Sequence, residues 1–218
     1  MKRFGLLAMV MMGLSVSACA TVETATRNAP LETLPTEMAA PAPSFKMASF
    51  DVNVPTTLKV SEANSYRPAA DIVWRGDPIG NRYEQVAAIF DDAIELGAGD
   101  LKGALPVKVE IEVKRFHALT EKTRYTIGGI HAITFVMTIR DPQTGAVIRG
   151  PREIVADLDG YGGSKALQAE ARGLTQKYRI TQHLARVIQD EMTKPQGFVA
   201  PRGGVTKRID PLSPVKPI

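Results

Sequence analysis

Cysteine is nearly absent. Cys19 is the only one among 218 residues, which excludes an intramolecular disulfide framework and a cysteine-rich zinc site. Tryptophan occurs once, histidine three times, and aromatics make up 6% of the chain. No GxSxG, HExxH or GxxxxGK(S/T) pattern is present, so no catalytic set can be named. Outside residues 4–14 there is no long apolar run, and a multi-span membrane protein is excluded. Excess charge of one sign is also scarce. The 27 Lys and Arg face 23 Asp and Glu, for a net charge of +4. That small excess lies outside the central region, which argues against a nucleic-acid partner. What remains is 44% hydrophobic and 23% charged, an ordinary composition for one domain or two small ones.

The N-terminus reads as a targeting segment. Lys2 and Arg3 precede the apolar residues 4–14, and the small residues Ser15, Ser17 and Ala18 follow. Val16-Ser17-Ala18 directly before Cys19 resembles the lipobox of bacterial lipoproteins. The resemblance implies a signal peptide of residues 1–18, cleavage before Cys19, and acylation of its thiol. Each buried methylene contributes about 0.8 kcal/mol, so one acyl chain anchors marginally and two or three anchor stably. The competing reading is an ordinary secretory signal with a leftover buried cysteine. Cleavage would leave 200 residues with a net charge of +2. Ala20, not Asp, follows the cysteine. By resemblance to the sorting rule of enteric bacteria, this implies the outer membrane, with the domain facing the periplasm.

Two biased segments flank one domain. Residues 19–49 contain Pro30, Pro35, Pro41 and Pro43 with no helical or strand period, and read as a disordered tether. Residues 194–218 contain Pro195, Pro201, Pro211, Pro214 and Pro217. Arg202, Lys207, Arg208 and Lys216 there outnumber Asp210, so the basic excess falls in this tail. It reads either as a contact for anionic head groups or as a solvated, mobile end.

Residues 50–193 are expected to form a single α+β domain. Phe50, Val52 and Val54 alternate as a half-buried strand, and Ile72-Val73-Trp74 forms a short second one. Tyr83, Val86, Ala87, Phe90, Ala93, Ile94 and Gly97 recur at helical spacing. Val107, Val109, Ile111 and Val113 alternate with Lys108, Glu110, Glu112 and Lys114, which predicts a strand with one wet face. Residues 130–140, a turn at 141–145, and residues 146–158 predict a hairpin. Ser164 is expected to cap a last, long helix reaching Thr193 with an apolar stripe of Leu174, Tyr178, Thr181, Leu184, Ala185, Ile188 and Met192. The order β-(β)-α-β-β-β-α predicts a mostly antiparallel sheet with two helices on one face.

Candidate chemistry is sparse. Asp157 to Ser164 is a glycine-rich stretch before a helix, and Gly160, Gly162, Gly163 and Ser164 form a candidate ligand loop. It lacks a phosphate-loop lysine, and Asp157 and Asp159 would repel phosphate, so a plain strand-to-helix turn competes. His117 and His131 flank adjacent strands, and a metal would need Glu112 or Glu121 as a third ligand at a spacing that no known motif fixes. His183 is expected at the surface or boundary. Asp141, Asp157 and Asp159 do not form an EF-hand loop. Residues 120–129 are expected as an exposed loop tip. No catalytic residue, metal or cofactor is expected.

The layout as a whole resembles the auxiliary lipoproteins of bacterial ABC-type lipid-transport systems. The residues that carry it are Tyr83-Glu84-Gln85-Val86, residues 107–116, residues 133–140 and the last helix, behind a lipobox and a Pro-rich tether. It is also similar to small uncharacterised lipoproteins of alphaproteobacteria. The resemblance implies a non-enzymatic adaptor or auxiliary component of a lipid or envelope transport or assembly complex, bridging the outer membrane, through its lipid, to an envelope-spanning protein partner. The basic Pro-rich tail departs from that pattern. A lipoprotein activator of cell-wall synthesis and a small-ligand-binding periplasmic domain using the Asp157–Ser164 loop remain as alternatives.

Overall fold

Two long strands organise the molecule. The computed structural model describes residues 44–201. Cys19, the signal segment, the tether up to residue 43 and the tail from residue 202 lie outside the described residues. Strands β3 (Leu105–His117) and β4 (Gly129–Arg140) pair antiparallel, with Val109 opposite Ile139, Ile111 opposite Met137 and Val113 opposite Phe135. These six side chains are all buried. On the other face Arg140 and Lys108 both reach Glu110, at 2.6 and 2.9 Å. Surface pairs of this kind contribute about 0–1 kcal/mol each. A buried Val, Ile or Phe contributes about 1.5–3 kcal/mol, so the apolar face sets the register.

The remaining strands attach to these two. β1 (Phe45–Asn53) and the two-residue β2 (Ile72–Val73) both pair with β3, in parallel and one after the other along it. β5 (Val147–Val155) and β6 (Leu158–Gly160) both pair with β4, antiparallel. The result is a mixed six-stranded sheet in the order β1-β3-β4-β5, mostly antiparallel, within an α+β domain. The parallel β1–β3 pair needs a crossover. Helix α1 (Arg82–Ala98) lies between them in sequence, capped by the Asn81 side chain, which accepts from the Tyr83 and Glu84 amides. Four-residue α2 (Glu121–Arg124) separates β3 from β4, and α3 (Gly163–Glu170) and α4 (Gln176–Thr193) close the chain.

The core joins both long helices to the sheet. Phe90 of α1 meets Phe116 and Phe135 edge-on at 6.3 and 5.2 Å, and Trp74 meets Phe116 at 5.7 Å. Ile180, Leu184, Ala185, Val187 and Ile188 of α4 belong to the same buried cluster. At Gly97 the two helices touch backbone to backbone, because a Cβ there would land on the Ala185 carbonyl.

Several sequence expectations need correction. β1 starts at Phe45, inside the segment expected to be a tether up to residue 49. The expected last helix is two helices. Gly173 (φ 79°) and a Leu174 amide bonded back to the Ala169 carbonyl at 2.9 Å end α3, and Thr175 caps α4. The cap of α3 is Gly162, not Ser164, which lies inside it. The buried stripe of α4 runs through Ile180 and Val187, while Tyr178 is exposed. The expected third strand breaks at Ala156 into β5 and β6. Finally, the boundary at 193 is too early. On the core side of β5, Arg149 donates to the carbonyls of Glu191, Lys194 and Pro195, and Arg152 to those of Gln196 and Phe198. Buried Glu191 pairs with Arg152 at 2.7 Å and accepts the Phe198 amide at 2.8 Å. Residues 194–198 are therefore part of the folded domain.

Gly97→Ala tests the helix contact with a decisive sign. Helix propensity alone would stabilise α1 by about 1 kcal/mol. The collision with the Ala185 backbone reverses this, and a net loss of about 1–3 kcal/mol is expected in urea unfolding.

Candidate functional site

The chain packs polar groups under the start of α4. Along this amphipathic helix Gln176, Arg179 and His183 share the inward face with Ile180, Leu184 and Val187, and all six are buried. Opposite them lie the first residues of β4, strand β6 and helix α3. Arg124, His131, Tyr161, Glu170, Gln176 and Arg179 line a small cavity there.

Each wall is held locally. Arg179 stacks on Tyr161, with its guanidinium carbon 3.5 Å from the ring centroid, and its Nη2 donates to the Asp159 carbonyl at 2.6 Å. Lys165 lies over the same ring at 4.1 Å. Arg124 pairs with Glu170 at 3.0 Å, and the Tyr125 hydroxyl donates to the same carboxylate at 3.3 Å. The Leu119 amide donates to His131 Nδ1 at 3.3 Å, which leaves the proton of the neutral ring on Nε2. Burial, and then the nearby Arg179 charge, push the His131 pKa down to about 3. Burial also lowers the Arg179 pKa.

The expected site residues are placed as follows. Gly160 ends β6 and packs on Leu119, and a Cβ at Gly162 would collide with the backbone at Gly128. Gly163 has φ 54° and Ser164 is exposed on α3. The glycines of the candidate ligand loop thus serve close backbone packing between the α2–β4 connection and β6. His117 is buried and bonds the Pro68 carbonyl at 2.9 Å. His183, expected near the surface, is buried, with Nε2 3.1 Å from the Ala156 carbonyl, and its pKa is pushed down to about 4, chiefly by burial. Among the described residues no group of three His, Cys, Asp or Glu is placed to hold a metal. Asp157 accepts the Ile133 amide at 3.0 Å, and burial raises its pKa. Asp141 accepts the Gln143 and Thr144 amides in its turn, both at 2.8 Å.

Residues 120–129 are only partly the exposed tip that was expected. Thr120 and Thr123 are buried and donate to the Ser65 and Tyr66 carbonyls at 2.8 and 3.0 Å. Tyr125 and Ile127 are exposed, as are Ile130 and Leu167, the last of these 55%. The cavity residues Arg124, Gln176 and Arg179 were missed by sequence reasoning. Their signal was present: Gln176, Arg179 and His183 follow helical spacing on the apolar side of an amphipathic stripe.

Residues 45–208 match the model of a family of unknown function, DUF6778, and the chain belongs to that family. No curated protein and no solved structure matches it.

The two neutral histidines predict acid sensitivity. The unfolded chain takes up these protons near pH 6.5, while the folded sites resist to about 3 and about 4. Their stabilisation is present above pH 6.5 and is lost as pH falls, by about 1.4 kcal/mol per unit for each histidine. His131→Asn keeps an acceptor for Leu119, and His183→Gln keeps a donor for Ala156. The double variant is expected to show a flatter stability profile between about pH 6.5 and about pH 5, above most carboxylate titration.

Proposed function

We propose that this DUF6778 protein is a non-enzymatic, lipid-anchored adaptor of the cell envelope. The observation that carries the reading is the two-ended layout of the domain. Ser44 and Phe45, where the tether joins, line a cleft with Met192 and Thr193 at one end. The polar cavity and the exposed Tyr125, Ile127, Ile130 and Leu167 cluster around the opposite ends of β4 and α4. The 18 residues of α4 separate the two ends by about 25 Å. A domain held at Cys19 would be attached at its entry end and would leave the far end free for a partner.

Two further points support the reading. Alternation along β3 buries one face of the sheet and leaves Lys108, Glu110, Glu112 and Lys114 on the other. Packing of α1 and α4 together on the buried face would leave the wet face and the far end free. The far end combines exposed apolar side chains with cationic Lys122 and Lys165, a composition suited to docking an envelope protein. The reading requires no reaction. The ligand-loop alternative is weakened by the packing role of Gly160 and Gly162.

Photocrosslinking in intact cells tests this. A crosslinker at Ile127 or Leu167 is expected to trap one envelope protein that a crosslinker at Lys102 does not, and Ile127→Glu with the crosslinker at Leu167 is expected to abolish the product. Cys19→Ser is expected to release the protein from the membrane fraction. Equal trapping from both ends would overturn the docking surface, and unchanged fractionation of Cys19→Ser would overturn the anchor.

A further inference from the structure

The cavity under α4 holds more hydrogen-bonding capacity than the protein uses. Gln176 is 5% exposed, and neither its Nε2 nor its Oε1 has a partner. Arg124 Nε is likewise buried and unbonded. Both residues line the same cavity, together with Arg179, itself 5% exposed. Arg179 forms no ion pair among the described residues, since the atom of Asp159 that it reaches is the main-chain carbonyl oxygen. Buried polar groups and charges are ordinarily satisfied, so two unpartnered buried donors beside the buried Arg179 cation indicate a missing acceptor.

Size and charge narrow its identity. The cavity measures about 10 Å³, room for one water-sized group. Of its lining, Arg124, Tyr161, Glu170 and Leu174 are half-buried and the rest is buried. The lining carries two guanidiniums against one carboxylate, and Glu170 is already engaged by Arg124 and Tyr125. The charge of Asp159 also acts on Arg179, and exposed Lys165 lies over the Tyr161 ring beside it. A water would answer both ends of the Gln176 amide but would leave three cations, Arg124, Arg179 and Lys165, facing the two carboxylates of Glu170 and Asp159. A monoanion with one oxygen inserted balances that charge and accepts from Gln176 Nε2 and Arg124 Nε, while Gln176 Oε1 still needs a donor.

We propose that this cavity is a carboxylate-binding site, with Arg179, Arg124 Nε and Gln176 Nε2 donating to one inserted oxygen while the rest of the ligand lies at the mouth. The Glu170 edge sets a limit on charge, because a second negative charge at the mouth would face its carboxylate. This favours a monocarboxylate over a phosphate dianion. The site is independent of the adaptor reading and would stand if no protein partner docked there.

The test is a titration of the full chain in detergent with sodium acetate at constant ionic strength, followed by thermal unfolding and by the NMR signal of the Gln176 side-chain amide. A melting temperature that climbs with acetate concentration and a saturating shift of that amide are expected. Arg179→Met and Gln176→Leu are expected to weaken acetate binding by roughly tenfold to a hundredfold, the loss of one charge-assisted bond. If Arg179→Met does not fold, Gln176→Leu alone decides. Chloride and inorganic phosphate form the other arms. No acetate dependence would mean that a lone water fills the cavity, and an equal response in both variants would place binding elsewhere. Chloride acting as well as acetate, or phosphate acting alone, would overturn the carboxylate assignment.

Discussion

The antiparallel pairing of β3 with β4 is the constraint on which the other elements depend. Every other strand bonds to one of these two, and none of the four could find its place first. The pairing is specified by apolar side chains on a single face. A shift of one residue would expose Val109, Ile111 and Val113 and bury Lys108, Glu110 and Glu112. Helix α1 then has to cross back, because β1 joins β3 in parallel, and its Phe90 inserts between Phe116 and Phe135. The contact of α1 with α4 closes the core.

That core is apolar at its centre and carries buried polar groups toward both ends of α4, with Glu191 at one and the larger cluster at the other. Where β5 stops pairing with β4, β6 takes over, and the helix above changes from Leu184 and Ile188 to Gln176, Arg179 and His183. Buried polar groups raise the cost of folding unless each is bonded. Here the ring of Tyr161, the Asp159 carbonyl and the Leu119 amide answer most of that demand, and the carbonyl of Ala156 answers His183. The same arrangement separates an apolar centre, which stabilises the fold, from a polar end that the proposed ligand would use.

Much of this was legible in the chain. Alternation marked β3, and the Asp141 turn marked the hairpin, because both signals are local. Three-and-four spacing from Tyr83 marked α1 for the same reason, although the helix runs on through Gly97 to Ala98. The parallel pairing of β1 was not legible, since period two does not distinguish strand direction. Nor was the extension to Phe198. Residues 194–198 have no period and are held by Arg149, Arg152 and Glu191 from about forty residues upstream and from α4. The cavity escaped for a related reason: Arg124, His131 and Gln176 come from three separate elements and Tyr161 from the β6–α3 connection, and only the tertiary fold brings them together. The glycine run at 160–163 stood out in the sequence, but the close approach of two backbones accounts for it.

Arg149 touches both the way into the domain and the way out. Its guanidinium lies 5.6 Å from the Phe45 ring centroid, and it donates to the carbonyls of Glu191, Lys194 and Pro195. One side chain on β5 therefore latches the first strand to the last described segment. A mechanical load applied between the two ends of the chain enters and leaves the domain at a single pole. It meets this latch before it reaches the β3–β4 ladder.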